Sequence, residues 1–415
     1  MPSSAESSSR ELPWLADQVD ALAEQLVEGG ALGIITIEAT PLAQIEQRYG
    51  ARVLRGSMDV LVESVLPLVA QATDGRHMLL GQALEPERLL LFCARPRSDS
   101  GFYAHTLPKL ARQLREHVSL ALQRISYPYL TGVFDVPVGH AVVLHRPFQR
   151  PETEIRRLLA ASLSCGIFEA ERMRRTRGAE LERLILEERL STRFEPIVSL
   201  HDGTTLGYEA LTRGPTGTLL ESPLVCFNVA ERCDLEFELD HVCRRLALRN
   251  AQGLGRAECL FLNILPSSIH DSDFSDRSVR GTLAELEITP AQVVFEISER
   301  QAIGNFPRFR EVIDYLKGLG FHIAIDDIGT GYANLETAIE LAPDFLKVDR
   351  SLIHRIDDDP HKQELISAMV RLGDKMNARL IAEGVENDAE RTTVRDLGVS
   401  YGQGYGIAVA RTALQ

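Results

Sequence analysis

Oxygen-bearing side chains lie at the ends of successive apolar runs in the second half of the chain. The positions in question are Glu209, Asn263, Glu296, Asp326, Asp327 and Glu383, with Lys347 ending one further run. Carboxylate and amide oxygens are hard ligands, and no histidine or cysteine stands among them. Such oxygen-only sets favour Mg²⁺ or Mn²⁺ over zinc. The residue types therefore predict a metal site.

The number of donors indicates how many metal ions this site holds. The neighbouring Asp326 and Asp327 would repel each other unless cations lie beside them. Five carboxylates and one amide exceed the needs of a single Mg²⁺, which usually keeps several waters. Two metals about 3.5–4 Å apart fit the set better, and such pairs hydrolyse phosphate esters. We therefore expect two-metal phosphoester chemistry.

The apolar runs that carry these residues have the length and spacing of buried strands. Runs of four to eight apolar residues alternate with helix-patterned segments, which is typical of parallel strands with crossover helices. Eight such strands can be counted from about residue 191 to the end of the chain. The pattern predicts an α/β fold with a TIM-type (β/α)₈ barrel, whose functional groups converge at the C-terminal rim.

The composition of the chain indicates which broad class of protein it belongs to. The chain has 415 residues, is 44% apolar and 25% charged, and holds no apolar run near 18 residues and no signal peptide pattern. These features predict a soluble cytoplasmic protein without membrane contact. The six cysteines lack metal-binding spacing and are expected to be reduced core thiols. The net charge of −14 argues against a nucleic acid polymer as partner.

The sequence divides into four segments. We expect residues 1–10 to form a disordered tail. Residues 11–170 are expected to form a smaller α+β regulatory domain with its own core. Residues 171–190 are charged and helix-prone, and we interpret them as a linker helix. The barrel is expected to occupy residues 191–415.

The barrel region resembles the EAL-family cyclic-di-GMP phosphodiesterases over about residues 190–410. The matching segments are Tyr208–Arg213, Asn263, Glu296–Glu299, Asp326–Tyr332, Leu346–Asp349, Ala382–Glu386 and Gln403–Tyr405. The tripeptide at Glu209 alone would be a weak signal, but the segments agree in order and in strand context. The resemblance implies hydrolysis of one phosphodiester of cyclic di-GMP to linear 5′-pGpG, which lowers this second messenger in bacterial signalling.

The resemblance also implies a role for each matching residue. One Mg²⁺ or Mn²⁺ would be held by Glu209, Asn263, Glu296 and Asp326, and a second by Asp326, Asp327 and Glu383. Water would be the nucleophile, with Asp327 as general base and Lys347 against the water or the scissile phosphate. Arg213 would clamp a phosphate. Asp349 and Gln403 would contact the substrate or support the residues that do. The catalytic set is thus Glu209, Asp327, Lys347 and Glu383.

Further features of the resemblance concern dimerisation and departures from the family pattern. Glu299 is expected to anchor the loop that follows Asp327, through which the family forms a homodimer by way of the barrel. Glu195 stands on the substrate side where glutamine is usual, and its extra carboxylate is expected either to perturb substrate binding or to add metal affinity. Leu265 replaces a usual serine. The alternative function is a catalytically silent cyclic-di-GMP receptor that signals through protein–protein contacts, but such receptors typically lose metal ligands or the lysine.

The first domain resembles a degenerate GGDEF-type cyclase domain in its order of strand, helices, hairpin, helix, strand and helix. Where that family carries glycines beside its nucleotide phosphates, the hairpin reads Leu84-Glu85-Pro86-Glu87-Arg88. Proline removes a backbone donor and the glycines are missing, so we expect no synthase activity. The signalling partner of this domain is not identified by the sequence.

Overall fold

The computed structural model describes residues 12–126, 135–265, 267–268, 276–298, 306–329 and 340–414. The chain forms two compact units, Met1–Ala179 and Glu180–Gln415. The predicted tail at residues 1–10 lies outside the described residues. Across the part of the chain that is described, no helix combines the length and the apolar character needed to cross a bilayer.

The first unit contains a four-stranded antiparallel sheet among its described residues. Its strands are β1 Ala31–Glu38, β2 Met78–Gly81, β3 Arg88–Ala94 and β4 Val138–Leu144. Its helices are α1 Leu15–Gly29, α2 Thr40–Tyr49, α3 Ala51–Thr73, α4 Leu107–Ser126 and α5 Pro151–Leu186. The strand order β2-β3-β1-β4 is the split β-α-β arrangement. The element order agrees with the predicted α+β domain.

Helices cover both faces of this sheet, because β1 is apolar on both sides. Ile35 and Ile37 belong to the core formed with α2, α3 and α4. Leu32 and Ile34 pack instead with residues of α1 and α5. Alternate side chains of a strand point to opposite faces, so the apolar run of β1 specifies a central strand between two helical layers.

A glycine contact fixes how closely α5 approaches the sheet. A Cβ placed on Gly139 of β4 would lie 1.8 Å from the carbonyl oxygen of Ser162 in α5. Only glycine at this position allows the strand and the helix to come so close. The helix itself continues without interruption to Leu186, so most of the expected linker at 171–190 is the last part of α5.

The second unit is a closed barrel of eight strands within the described residues, which confirms the predicted fold class. The strands are β5 Ser191–Ser199, β6 Thr205–Arg213, β7 Cys259–Asn263, β8 Val293–Ser298, β9 His322–Ile328, β10 Phe345–Val348, β11 Arg379–Ala382 and β12 Tyr401–Gly402. The helices are α6 Pro223–Cys233, α7 Glu236–Asn250, α8 Asp276–Glu285, α9 Phe306–Gly318, α10 Arg350–Ile353, α11 Pro360–Met376 and α12 Asp388–Asp396.

Two barrel strands differ from the expected pattern. β5 runs antiparallel to both of its neighbours, β6 and β12. A tight turn joins it to β6, where Gly203 has φ +75° and the Asp202 carboxylate accepts from the Thr204 amide. Asp-Gly turns favour hairpins over crossover connections, which explains the reversed strand. β12 has two residues, fewer than the four to eight predicted for each strand, and Gly404 with φ +139° follows it.

A layer of apolar side chains fills the barrel interior and is called the interior floor. It comprises Ile197, Phe261, Val294, Ala324, Phe345 and Ile381, all completely buried. The rings of Phe261 and Phe345 pack edge to face with centroids 5.3 Å apart. Since side chains alternate along a strand, residues two positions away from the interior floor also point into the barrel. The residues that form the next layer of the barrel interior are therefore those two positions along each strand from the interior floor.

The Gly139 contact predicts opposite effects for the same substitution at two sites. Gly139→Ala should destabilise the first unit by about 1–3 kcal/mol, because the new methyl group overpacks against α5. Gly56→Ala in α3, where a Cβ meets nothing within 4 Å, should instead stabilise by about 0.5–1 kcal/mol through helix propensity. Urea unfolding followed by fluorescence measures both, because the single tryptophan, Trp14, lies in this unit and bridges to Gly81. Equal midpoints for the two variants would contradict the prediction.

Candidate active site

The layer above the interior floor is polar and contains the residues that the sequence analysis selected. Five of them, Asn263, Glu296, Asp326, Lys347 and Glu383, stand two positions after a residue of the interior floor. Glu209 joins them from β6, and Gln403 directly after β12. Glu195 stands two positions before Ile197, yet it reaches the same layer because β5 runs in the opposite direction. In the β5–β6 register it lies opposite Glu209.

Lys347 lies at the centre of this layer and is completely buried. Its Nζ is 2.7 Å from Glu296 Oε1, 2.8 Å from Glu383 Oε1, 3.1 Å from Glu209 Oε2 and 3.4 Å from Asp326 Oδ1. Four carboxylates from four different strands or strand ends therefore converge on one ammonium. A buried charge is costly without such partners, so these contacts hold the strands in register around the lysine.

The pKa values of the layer reflect burial and mutual repulsion. Burial alone would lower the pKa of Lys347, but the surrounding carboxylates, Asp326 first among them, raise it well above its ordinary value. Burial and then Glu209 raise the pKa of Glu296 well above its usual range. Burial also acts to raise the pKa of Glu209, yet the Lys347 ammonium and the Gln403 amide hold it below its usual value. Lys347 thus stays charged, and Glu296 retains a proton more readily than Glu209.

Two amide side chains orient the carboxylates. Gln403 Nε2 donates to Glu209 Oε2 at 2.7 Å and to Glu383 Oε1 at 3.4 Å. Asn263 Nδ2 donates to Glu296 Oε2 at 3.3 Å. The Asn263 side chain is exposed, so the layer is reached from solvent on this side. Gln403 was predicted either to contact substrate or to support the residues that do, and its bonds to Glu209 and Glu383 give it the supporting position.

A backbone irregularity brings Asp326 and Asp327 to the same site. In a regular strand these neighbours would point to opposite faces. Between the pairs Ile325–Leu346 and Ile328–Val348, however, two residues of β9 stand opposite the single residue Lys347. Asp327 also has φ +60°. Such a bulge re-aims side chains, and oxygens of Asp326, Asp327 and Glu383 lie within 4.8 Å of one another.

The residues predicted on the substrate side occupy the rim. Arg213 ends β6. Burial and then Glu209 raise the pKa of Glu195, and the charges of Lys347 and then Arg213 oppose this rise. Asp349 Oδ1 accepts from the Ser351 amide at 2.9 Å and so caps α10. This cap favours a positioning role for Asp349 over direct substrate contact. Glu299 and the loop residues Thr330–Tyr332 lie outside the described residues.

The donor set fits divalent cations. The carboxylates Glu209, Glu296, Asp326, Asp327 and Glu383, called here the carboxylate cluster, provide only hard oxygen ligands. With Lys347 they carry a formal charge of −4 when ionised, which two divalent cations would balance. Gln403 Oε1 is also buried here without a hydrogen-bond partner. A buried, unpaired acceptor beside crowded carboxylates is the environment that a cation stabilises.

In the first unit, side-chain contacts of Arg88 close the hairpin between β2 and β3. Arg88 at the start of β3 pairs with Glu38 at the end of β1 and with Glu85 in the turn. The same guanidinium donates to Gln82 at 3.1 Å. These contacts tie the turn to the end of β1 and the start of β3. The resemblance of this unit to a GGDEF domain remains a prediction.

Comparison with known proteins locates a family match in the second unit. The model of the EAL domain matches residues 179–410. The chain is 29% identical over 233 residues, 54% of its length, to "Bifunctional diguanylate cyclase/cyclic di-GMP phosphodiesterase MucR" of Pseudomonas aeruginosa, of which 34% is covered. It is 28% identical over 219 residues, 51% of its length, to "Cyclic di-GMP phosphodiesterase RocR" of the same organism, of which 55% is covered.

A solved structure supports the fold. The EAL domain of FimX from Xanthomonas citri, determined in complex with c-diGMP, superposes with a TM-score of 0.52 at 22% identity. The match covers 59% of this chain and 97% of that domain, and at this identity it shows the fold alone. The chain spans about a third to a half of the length of several curated relatives that it matches.

The central position of Lys347 predicts a cation-dependent stability phenotype. Lys347→Met should destabilise the metal-free second unit by about 3–5 kcal/mol, because the substitution leaves buried carboxylates without a counter-charge. Added Mg²⁺ or Mn²⁺ should raise the thermal midpoint more in the variant than in the wild type. Far-UV circular dichroism with and without a chelator measures this effect. Lys375→Met, at an exposed position of α11, should change the free energy of unfolding by less than about 0.5 kcal/mol. Equal losses in both variants would contradict the assignment.

Proposed function

The chain belongs to the EAL domain family, and on this premise we propose that it hydrolyses cyclic di-GMP to linear 5′-pGpG. The activity would lower the concentration of this second messenger in bacterial signalling and would require two divalent cations per site, Mg²⁺ or Mn²⁺. The observation that carries the proposal is the carboxylate cluster around Lys347, in which every predicted acidic ligand is present. The named activities of MucR and RocR support the substrate.

The ligands divide into two sets that share one residue. Glu209, Asn263, Glu296 and Asp326 would hold one cation, and Asp326, Asp327 and Glu383 the other. When bound, the cations supply charge neutralisation for the phosphodiester and lower the pKa of water. The amides of Gln403 and Asn263 fix the rotamers of Glu209, Glu383 and Glu296, which prepares the donors before any ligand arrives.

Three side chains would act on the phosphodiester and the attacking water. A carboxylate oxygen of Asp327 accepts the proton of the water as general base. Lys347 keeps its proton, because the carboxylates around it raise its pKa, and so offers a fixed positive charge to the scissile phosphate. Arg213, at the end of β6, donates to a non-bridging phosphate oxygen and holds the substrate in line.

The proposal predicts product formation by the full chain and its loss in two variants. The purified protein incubated with cyclic di-GMP and Mg²⁺ or Mn²⁺ should release linear pGpG, followed by liquid chromatography. Glu209→Ala and Glu383→Ala should reduce turnover by at least about a thousandfold, because each removes a cation ligand and a partner of Lys347. The matched control Glu364→Ala removes an exposed carboxylate on α11 and should keep the wild-type rate.

Binding measurements distinguish a phosphodiesterase from a catalytically silent cyclic-di-GMP receptor. If the wild-type protein binds cyclic di-GMP tightly but forms no pGpG at high protein concentration, the chain is a silent receptor and the proposed activity is wrong. If Glu209→Ala or Glu383→Ala retains the wild-type rate, the residue assignment is wrong even where the activity is present.

Glu195 provides a prediction specific to this chain. Its carboxylate lies in the polar layer opposite Glu209, and the positive charges of Lys347 and Arg213 both act on it. Glu195→Gln removes one negative charge near a dianionic substrate and leaves the positive charge of Arg213 less compensated. We expect KM to fall about threefold to tenfold with little change in kcat, the size of a partly screened charge contact. Steady-state kinetics at saturating metal measure both constants, and an unchanged or higher KM would contradict this role.

A further inference from the structure

The two edge strands of the first-unit sheet, β2 and β4, differ in whether another described segment pairs with them. At the β2 edge, Trp14 forms a bridge with Gly81, and the Gly81 amide donates to the Pro13 carbonyl at 3.0 Å. At the other edge, β4 pairs with β1 and with no further strand of the described residues. An exposed strand edge offers unpaired backbone groups to another chain unless charges, prolines or bulges blunt it.

Hydrogen-bond geometry identifies which residues of β4 face outward. The Glu38 amide donates to Pro137 and the His145 amide donates to Gly30, both at 3.0 Å, so odd-numbered residues of β4 exchange bonds with β1. In an antiparallel pair the intervening residues direct their N–H and C=O groups to the other side. The Val138 carbonyl on that side accepts from Arg115 at 2.8 Å. Among the residues that the structure describes, no backbone partner is seen for the outward groups of His140, Val142 and Leu144.

The sequence of β4 carries none of the residues that usually blunt a strand edge. The strand reads Val-Gly-His-Ala-Val-Val-Leu and contains no proline, carboxylate, lysine or arginine. Burial and then Arg115 lower the pKa of His140, so the strand is neutral at pH 7. Val142 and Leu144 are 38% and 46% exposed, and Phe148 just beyond them is 82% exposed. An apolar, neutral edge of this kind is a site for strand pairing.

The spacing of these groups makes the edge complementary to itself. If two copies of β4 pair antiparallel around Val142, Val142 faces Val142, and His140 of one copy faces Leu144 of the other. Each of these pairs exchanges two backbone hydrogen bonds, since all three residues direct their groups outward. The whole chain carries a charge of −14, so an uncharged strand is where two copies can approach with least repulsion.

We propose that the free edge of β4 pairs with the same edge of a second copy of this chain, joining the two first-unit sheets into one continuous sheet about a two-fold axis at Val142. The interface is isologous, because the same residues contribute from both copies. It belongs to the first unit and does not depend on the proposed hydrolysis. A dimer that forms through the barrel would use other residues.

Disulfide trapping tests the register directly. In a hydrogen-bonded antiparallel pair the two Val142 Cα atoms would be about 5.5 Å apart, within the range that a disulfide spans. The full-length Val142→Cys variant should therefore form a covalent dimer under mild oxidation. Val60→Cys, at a 52% exposed position of α3, and the wild-type chain should not. Absence of the Val142→Cys dimer, or equal trapping at Val60→Cys, would overturn the proposal.

Sedimentation equilibrium gives an independent measurement. The wild-type chain should shift from monomer to dimer mass between about 1 and about 100 µM, and Val142→Lys should weaken this association about tenfold or more by placing two like charges opposite each other. Val60→Lys is the matched control and should associate as the wild type does. A monomeric wild-type chain throughout this range refutes the proposal, as does a dimer that Val142→Lys leaves unchanged. Trp14 fluorescence verifies that each variant is folded.

Discussion

The structure of the second unit depends on one buried ammonium group. Lys347 lies inside the barrel without any exposed surface, within 3.4 Å of four carboxylates that come from β6, β8, β9 and the end of β11. Neither the lysine nor the carboxylates could be buried alone, because each charge loses its hydration. Together they form a layer whose members must arrive at the same height in the barrel. That requirement constrains strand register more tightly than the apolar interior floor below it.

Two backbone irregularities meet this requirement where regular strands would not. The reversal of β5 brings Glu195 to the polar layer from the opposite direction, beside Glu209. The bulge opposite Lys347 lets Asp326 and Asp327 point to one site although they are neighbours in sequence. Its cost includes the positive φ of Asp327, an unfavourable conformation for a residue with a Cβ. Strain of this kind persists where the surroundings over-determine it, and here the contacts of Lys347 provide that constraint.

The reversal of β5 and the bulge in β9 are also the features that the sequence alone did not predict, whereas it did predict the strands. Apolar runs ending on Asn263, Glu296 and Lys347 predicted both the strands and their convergence, because period and length suffice to recognise buried strands. The direction of β5 did not follow from its apolar pattern, which reads the same both ways. The bulge left no local signal apart from the improbable Asp326-Asp327 pair itself. Asp349 shows a further limit, since a residue type suited to substrate contact equally suits the cap of α10.

On the proposed function, the charge of the polar layer couples cation binding to substrate binding. The carboxylate cluster and Lys347 carry a formal charge of −4 when ionised, in a chain whose total is −14. Cyclic di-GMP is itself a dianion, and charges interact strongly where burial excludes water. Arg213 is the one cationic residue predicted at the rim, and its charge acts on the nearby Glu195 carboxyl. Bound divalent cations neutralise the carboxylates that would otherwise repel this dianion, so cation binding should strengthen binding of the dinucleotide.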